Sequence, residues 1–142
     1  MAKIFFDTNI LVYTLDTNNA DKQKMAQNIL IKISENERPV ISTQVLQEFY
    51  YASTTKIKAD KILVKNILHS FTNMETVQVN MNIIEQGIDI SILSQISFWD
   101  GLIIAAAEYA RCSVILSEDL NDGQIIRGIE IKNPFKIQNF SF

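Results

Sequence analysis

The chain of 142 residues holds one cysteine, one histidine and one tryptophan, and its formal net charge is −3. A single cysteine, Cys112, excludes an intrachain disulfide and fits a reducing compartment. With so little nitrogen and sulfur ligation to offer, the sequence argues against a zinc site. Positive charge is also short, so nothing pulls the whole molecule toward a polyanion, and any nucleic-acid binding has to be local. The longest uninterrupted apolar run, residues 102–107, falls far below the roughly 20 residues that span a membrane. The apolar run after Lys3 is broken by Asp7 and Asn9 and has no small-residue cleavage site, so no secretory signal is expected. Repeats, low-complexity tracts and linkers are missing too. These absences lead to the expectation of a cytoplasmic protein without membrane contact, folded as one domain over residues 1–142.

What the chain does contain is 47% hydrophobic residues arranged in two rhythms. Short apolar runs read as strands: residues 4–6, 40–41, 77–79, 113–116 and 129–131, the last as an edge strand. Between them lie helical spacings over residues 20–34, 43–52, 59–71, 83–93 and 98–110. Thr43, Asn80 or Asn82, and Ser97 are placed to cap the first turns of the helices that follow them. Residues 36–39 read as a loop. Strands alternating with helices of this length predict an α/β protein, a three-layer α/β/α sandwich around a roughly five-stranded parallel sheet.

The stretch Lys3-Ile4-Phe5-Phe6-Asp7-Thr8-Asn9 is the sharpest local signal. A continuous Ile-Phe-Phe run suits a strand covered on both faces, and Thr and Asn suit a helix entry. Asp7 therefore falls at the carboxyl end of the first strand, the edge where open α/β sheets bind ligands. Taken alone, it is equally well explained as a helix cap.

Other acids occupy comparable places. Glu48 follows the second strand, Asp100 opens the most apolar helix, and Asp119 and Asp122 follow the fourth strand. Each has a plain reading. Glu48 could be an exposed helix residue, and Ser97 with Asp100 resembles a capping box. Asp119 and Asp122 could form a turn, since Asn121-Asp122-Gly123 is a turn signal by itself. Jointly the picture differs, because a parallel sheet brings these positions to one edge. Carboxylates about 4 Å apart repel by about 4 kcal/mol per pair at an effective dielectric near 20. A divalent cation offsets that repulsion, and an all-oxygen ligand set suits Mg²⁺ or Mn²⁺. The natural chemistry of such a site is hydrolysis of a phosphodiester.

The chain resembles the PIN-domain ribonucleases, most closely their VapC-like toxin branch. The matching residues are Phe5-Phe6-Asp7-Thr8-Asn9-Ile10-Leu11, Leu46-Gln47-Glu48-Phe49, Ser97-Phe98-Trp99-Asp100-Gly101-Leu102-Ile103, Leu116-Ser117-Glu118-Asp119-Leu120 and the closing Gly128-Ile129-Glu130-Ile131-Lys132-Asn133-Pro134-Phe135. The resemblance implies a Mg²⁺- or Mn²⁺-dependent endoribonuclease with Asp7, Glu48, Asp100 and Asp119 as its acidic quartet. It implies Asp122 as a further acidic metal position, and Thr8, Asn9 and Ser117 as residues that orient the acids. It further implies RNA as substrate, a homodimer, and a small antitoxin encoded beside the gene.

Three other readings keep a place beside it: a PIN nuclease of RNA processing, a phosphatase of the haloacid-dehalogenase type, and a degenerate, non-catalytic binding domain. The phosphatase pattern needs a second acid two residues after Asp7, where this chain has Asn9, and no lysine motif follows. Lys56, Lys58, Lys61 and Lys65 form the densest basic stretch, with the last three placed on one helical face; this is either a solvated face or a phosphate patch. His69 reads as a boundary residue and Cys112 as a small buried hydrophobe. Tyr50 and Tyr51 suit packing, or stacking on bases.

Overall fold

The computed structural model describes residues 1–136. Its elements run β1 (Lys3–Phe6), α1 (Thr8–Tyr13), α2 (Ala20–Asn36), β2 (Arg38–Ser42), α3 (Thr43–Thr55), α4 (Lys61–Phe71), β3 (Glu75–Val77), α5 (Met81–Ser94), α6 (Phe98–Tyr109), β4 (Val114–Leu116), β5 (Ile125–Ile126) and β6 (Ile129–Lys132). The sheet order is β3-β2-β1-β4-β6-β5. Every pairing is parallel except β5 with β6. The architecture is thus the expected α/β type, a mostly parallel sheet flanked by helices.

β1 lies in the middle because Ile4, Phe5 and Phe6 are apolar toward both faces, and all three are fully buried. Its register sets Phe5 opposite Val40 on one side and Phe6 opposite Leu116 on the other. Strand order reverses here: β2 and β3 spread to one side, β4 and β6 to the other. The crevice at such a reversal, outside the carboxyl ends of the strands, is where ligands bind in open α/β sheets. The helix with the longest apolar run, α6, buries every residue from Gly101 to Ala107. It packs closely on α5. A Cβ added at Gly101 would sit 2.3 Å from the Gly87 carbonyl oxygen, so only glycine permits this approach. Among the described residues, no single helix is long and apolar enough to cross a membrane.

The structure corrects several sequence expectations. Among the described residues the five expected strands form the parallel sheet, and a sixth, β5, joins them: a two-residue antiparallel strand too short to show a period takes the edge expected for β6, which is interior. Pro39 belongs to β2 rather than to a loop. It pairs only with Ile4, since the overlap with β3 begins at Val40, so its missing N–H breaks no second ladder. Ser42, not Thr43, caps α3 by accepting the Val45 N–H. Thr43 instead accepts the Val79 N–H at 3.1 Å, which takes Val79 out of the third strand. Lys58 stands outside the helix that carries Lys61 and Lys65: it has φ 59° and precedes the α4 cap, Asp60.

Candidate active site

Asp7 leaves β1 and enters α1 as its N-cap, with its backbone N–H on the Leu116 carbonyl at 3.0 Å. One carboxylate oxygen accepts the Thr8 N–H at 2.7 Å; the other accepts the Ser117 hydroxyl at 2.7 Å. Capping and site membership are therefore one arrangement, not two alternatives. Ser117, fully buried at the end of β4, spends its whole hydrogen-bonding capacity here. It donates to Asp7 and accepts from the backbone N–H groups of Asp119 and Leu120, each at 3.2 Å.

The next two residues reach two further acids. The Thr8 hydroxyl donates to Glu48 on α3 at 2.8 Å, and the Asn9 amide donates to Asp119 at 2.7 Å. Asp100 stands in the first turn of α6, where its backbone N–H bonds the Ser97 hydroxyl at 3.1 Å. Only half of the anticipated capping box forms: among the described residues, the Asp100 carboxylate makes no hydrogen bond. A cavity of about 490 Å³ is lined by Asp7, Glu48, Asp100 and Asp119. Asp122 is not in that lining. Its Oδ1 accepts the Asn133 N–H at 2.8 Å and ties the last loop to the end of β6.

Burial pushes the Asp7 carboxyl up to about 6, with Ser117 and Thr8 opposing the rise and the charges of Asp119 and Glu48 adding to it. Asp119 is also raised, by burial and by the charges of Glu118 and Asp100, with Lys56 pulling the other way. The cavity sets four carboxylates against one lysine, Lys56, and carries net negative charge. Its donors are all oxygens, which suit a hard divalent cation. No group of three or more acid, histidine or cysteine side chains among the described residues closes into a ready-made cage, so an ion here would keep much of its water, as Mg²⁺ commonly does.

Several lining residues were not legible as site residues. The sequence places Lys56 in the basic stretch, yet it lines the cavity. Gln44 lines it one turn before Glu48, and its amide donates to the Trp99 carbonyl at 3.1 Å. Trp99 lines it too, and its position directly before Asp100 was the available signal. Behind the site, Glu118 accepts hydrogen bonds from Tyr13 and Lys22. Burial raises its carboxyl, but those two partners outweigh it and leave Glu118 below its usual range.

A family model described as PIN domain matches residues 4–122, a span that includes all four cavity acids. The chain belongs to the PIN domain family. Solved structures share this PIN fold. DNA-bound VapBC2 of Rickettsia felis is similar over 92% of this chain and 98% of that chain, at 20% identity and TM-score 0.66. DNA-bound VapBC of Salmonella typhimurium is similar over 94% and 99%, at 19% identity and TM-score 0.67. VapC20 of Mycobacterium tuberculosis, described as a sarcin-ricin loop cleaving toxin, is similar over 82% and 91%, at 15% identity and TM-score 0.64. Identities this low speak for the fold alone. A comparison with curated proteins found no match.

Proposed function

We propose that this PIN-domain chain is a divalent-metal-dependent endoribonuclease and the toxin of a toxin–antitoxin pair. One observation carries the nuclease reading: four carboxylates line one cavity at the sheet's switch point, and neutral donors hold three of them. Asp7, Glu48, Asp100 and Asp119 would hold Mg²⁺ or Mn²⁺. The bound ion would supply charge compensation and Lewis acidity at a phosphodiester. Asp122 is left out of this set, because its carboxylate serves Asn133.

The chain's own residues account for the rest. Ser117 and the Thr8 N–H fix the Asp7 carboxylate while leaving lone pairs on both oxygens for a cation. Thr8 orients Glu48 and Asn9 orients Asp119 without cancelling their charge. A phosphatase of the haloacid-dehalogenase type gains no support, since Asn9, in place of its second acid, serves Asp119.

Similar folds in VapBC complexes support an antitoxin partner, and the description of VapC20 as a sarcin-ricin loop cleaving toxin supports RNA as substrate. The test is cleavage of RNA by the purified protein with Mg²⁺ or Mn²⁺. Loss of cleavage in Asp7→Asn, Glu48→Gln and Asp100→Asn, with folding intact, is the expected result. Full activity of any of these, or activity in EDTA, would overturn the nuclease reading. The toxin reading expects growth arrest on expression, relieved by Asp7→Asn or by the product of a small neighbouring reading frame. A homodimer is part of the proposal, and light scattering tests it.

A further inference from the structure

An acidic cleft on a chain of net charge −3 cannot hold an RNA strand by charge alone, so its binding energy has to come from elsewhere. The rim of the cleft carries two large, exposed rings. Trp99 is 61% and Tyr51 67% exposed, and both line the same cavity as the four acids. Scattered exposed apolar residues are ordinary, but two aromatic rings facing one catalytic cavity are a feature of that cavity.

Both rings are placed by the fold. Gln44, Gln47, Glu48 and Tyr51 follow the helical spacing i, i+3, i+4, i+7, and all four line the cavity, so Tyr51 projects from the face of α3 that presents Glu48. Trp99 comes from a different helix, the first turn of α6. Its carbonyl accepts the Gln44 amide at 3.1 Å, and its ring packs edge-on against Phe98 with centroids 5.1 Å apart. Lys56, the residue that ends α3, lies on the same rim and has no ion pair among the described residues.

We propose that the rings of Trp99 and Tyr51 grip an unstacked base of the RNA next to the scissile phosphodiester, with Lys56 beside them for a flanking phosphate. This rests on the ribonuclease reading above. Aromatic rings bind bases through their faces whatever the sequence, and Arg or Lys nearby adds to the attraction. A base paired and stacked inside a duplex offers no free face, so the two rings select unpaired nucleotides at the cleavage site.

Trp99 is the chain's sole tryptophan, so its fluorescence reports the site directly. The experiment titrates cleavage-deficient Asp7→Asn with a short oligouridylate and with a duplex RNA of equal length. The single strand is expected to quench the emission and the duplex to leave it unchanged. In steady-state cleavage, Trp99→Leu and Tyr51→Leu are each expected to raise KM about tenfold with little change in kcat, and Trp99→Phe to recover most of the loss. RNA cleavage by wild type with an unaltered KM in both leucine variants would overturn the inference and leave the nuclease reading standing. Equal quenching by duplex RNA would overturn it too, as would an emission that no RNA alters. If wild type cleaves no RNA at all, the nuclease reading fails, and this inference falls with it.

Discussion

The Asn9 side-chain amide donates to Asp119 at 2.7 Å across 110 residues of sequence. Asp7-Thr8-Asn9 thus serves three acids in succession: Asp7 is itself one, Thr8 holds Glu48, and Asn9 holds Asp119. All the donors to these acids are neutral. A lysine or arginine in their place would orient the carboxylates equally well but would neutralise the charge a cation needs.

Asn9→Ala is therefore expected to cost modest stability, about 1–2 kcal/mol for one solvent-exposed hydrogen bond from a neutral donor to a carboxylate. It should nevertheless slow RNA cleavage about tenfold and raise the Mg²⁺ concentration giving half-maximal rate. Asn9→Asp puts a fifth charge against Asp119 and should be worse. Melting curves beside a Mg²⁺ titration of the rate check both. An unaltered Mg²⁺ requirement in Asn9→Ala would refute the orienting role.

Asp7 gives a pH dependence of definite sign. Its folded pKa of about 6 lies above the ordinary 3.8, so the folded state favours the protonated acid. Stability from this group is present at low pH and is lost as pH rises from ~4 through ~6, by roughly 2–3 kcal/mol for a shift of about two units. In metal-free buffer, Asp7→Asn should melt higher than wild type at pH 8, with the gap closing toward pH 4. Saturating Mg²⁺ should narrow or reverse the order, because only wild type would offer all four proposed ligands. Parallel melting profiles across this range would contradict the assignment.

Gly101→Ala tests the contact between α5 and α6. The added methyl meets the Gly87 carbonyl at 2.3 Å, and the two helices have to separate. Overpacking of this kind costs about 1–3 kcal/mol, and here it also displaces the neighbouring Asp100. Urea unfolding and cleavage assays should both register the change; an unaltered denaturation midpoint would mean the helices yield freely.

Asp119 and Asp122 should separate cleanly. Asp122→Asn keeps a carbonyl oxygen for the Asn133 N–H and should cleave RNA like wild type. Asp119→Asn removes a cavity charge and should abolish cleavage. Equal losses in the two variants would return Asp122 to the metal-binding set.

Cys112 is 6% exposed, and burial pushes its thiol up to about 12, with Glu75 adding to the rise and Lys3 opposing it. At pH 8 only about one thiol in ten thousand is ionised, and the thiolate is the reactive form. Disulfide exchange reagents should leave it unmodified until the protein unfolds. Rapid labelling of the native protein would show an opening that exposes the end of α6.

Local signals in the sequence were enough wherever an element depends on its own residues. The run Ile4-Phe5-Phe6 is apolar toward both faces and makes the central strand; Asn80 and Ser97 cap their helices through side chains that reach only three residues on. The alternation of strands and helices likewise determined the α/β class, and the placing of acids after strands pointed to one edge. What only the tertiary structure decided are the relations between distant residues. Ser42 displaced Thr43 as a cap because Thr43 is taken by Val79, in the loop between β3 and α5. Asp119 and Asp122 look alike in sequence, and they part only because Asn9 approaches one and Asn133 the other. Trp99 and Tyr51 face each other's cavity through two helices that meet only in the folded chain. Periodicity and capping act over one or two turns, whereas a hydrogen bond spanning 110 residues exists only once the sheet has set β4 beside β1.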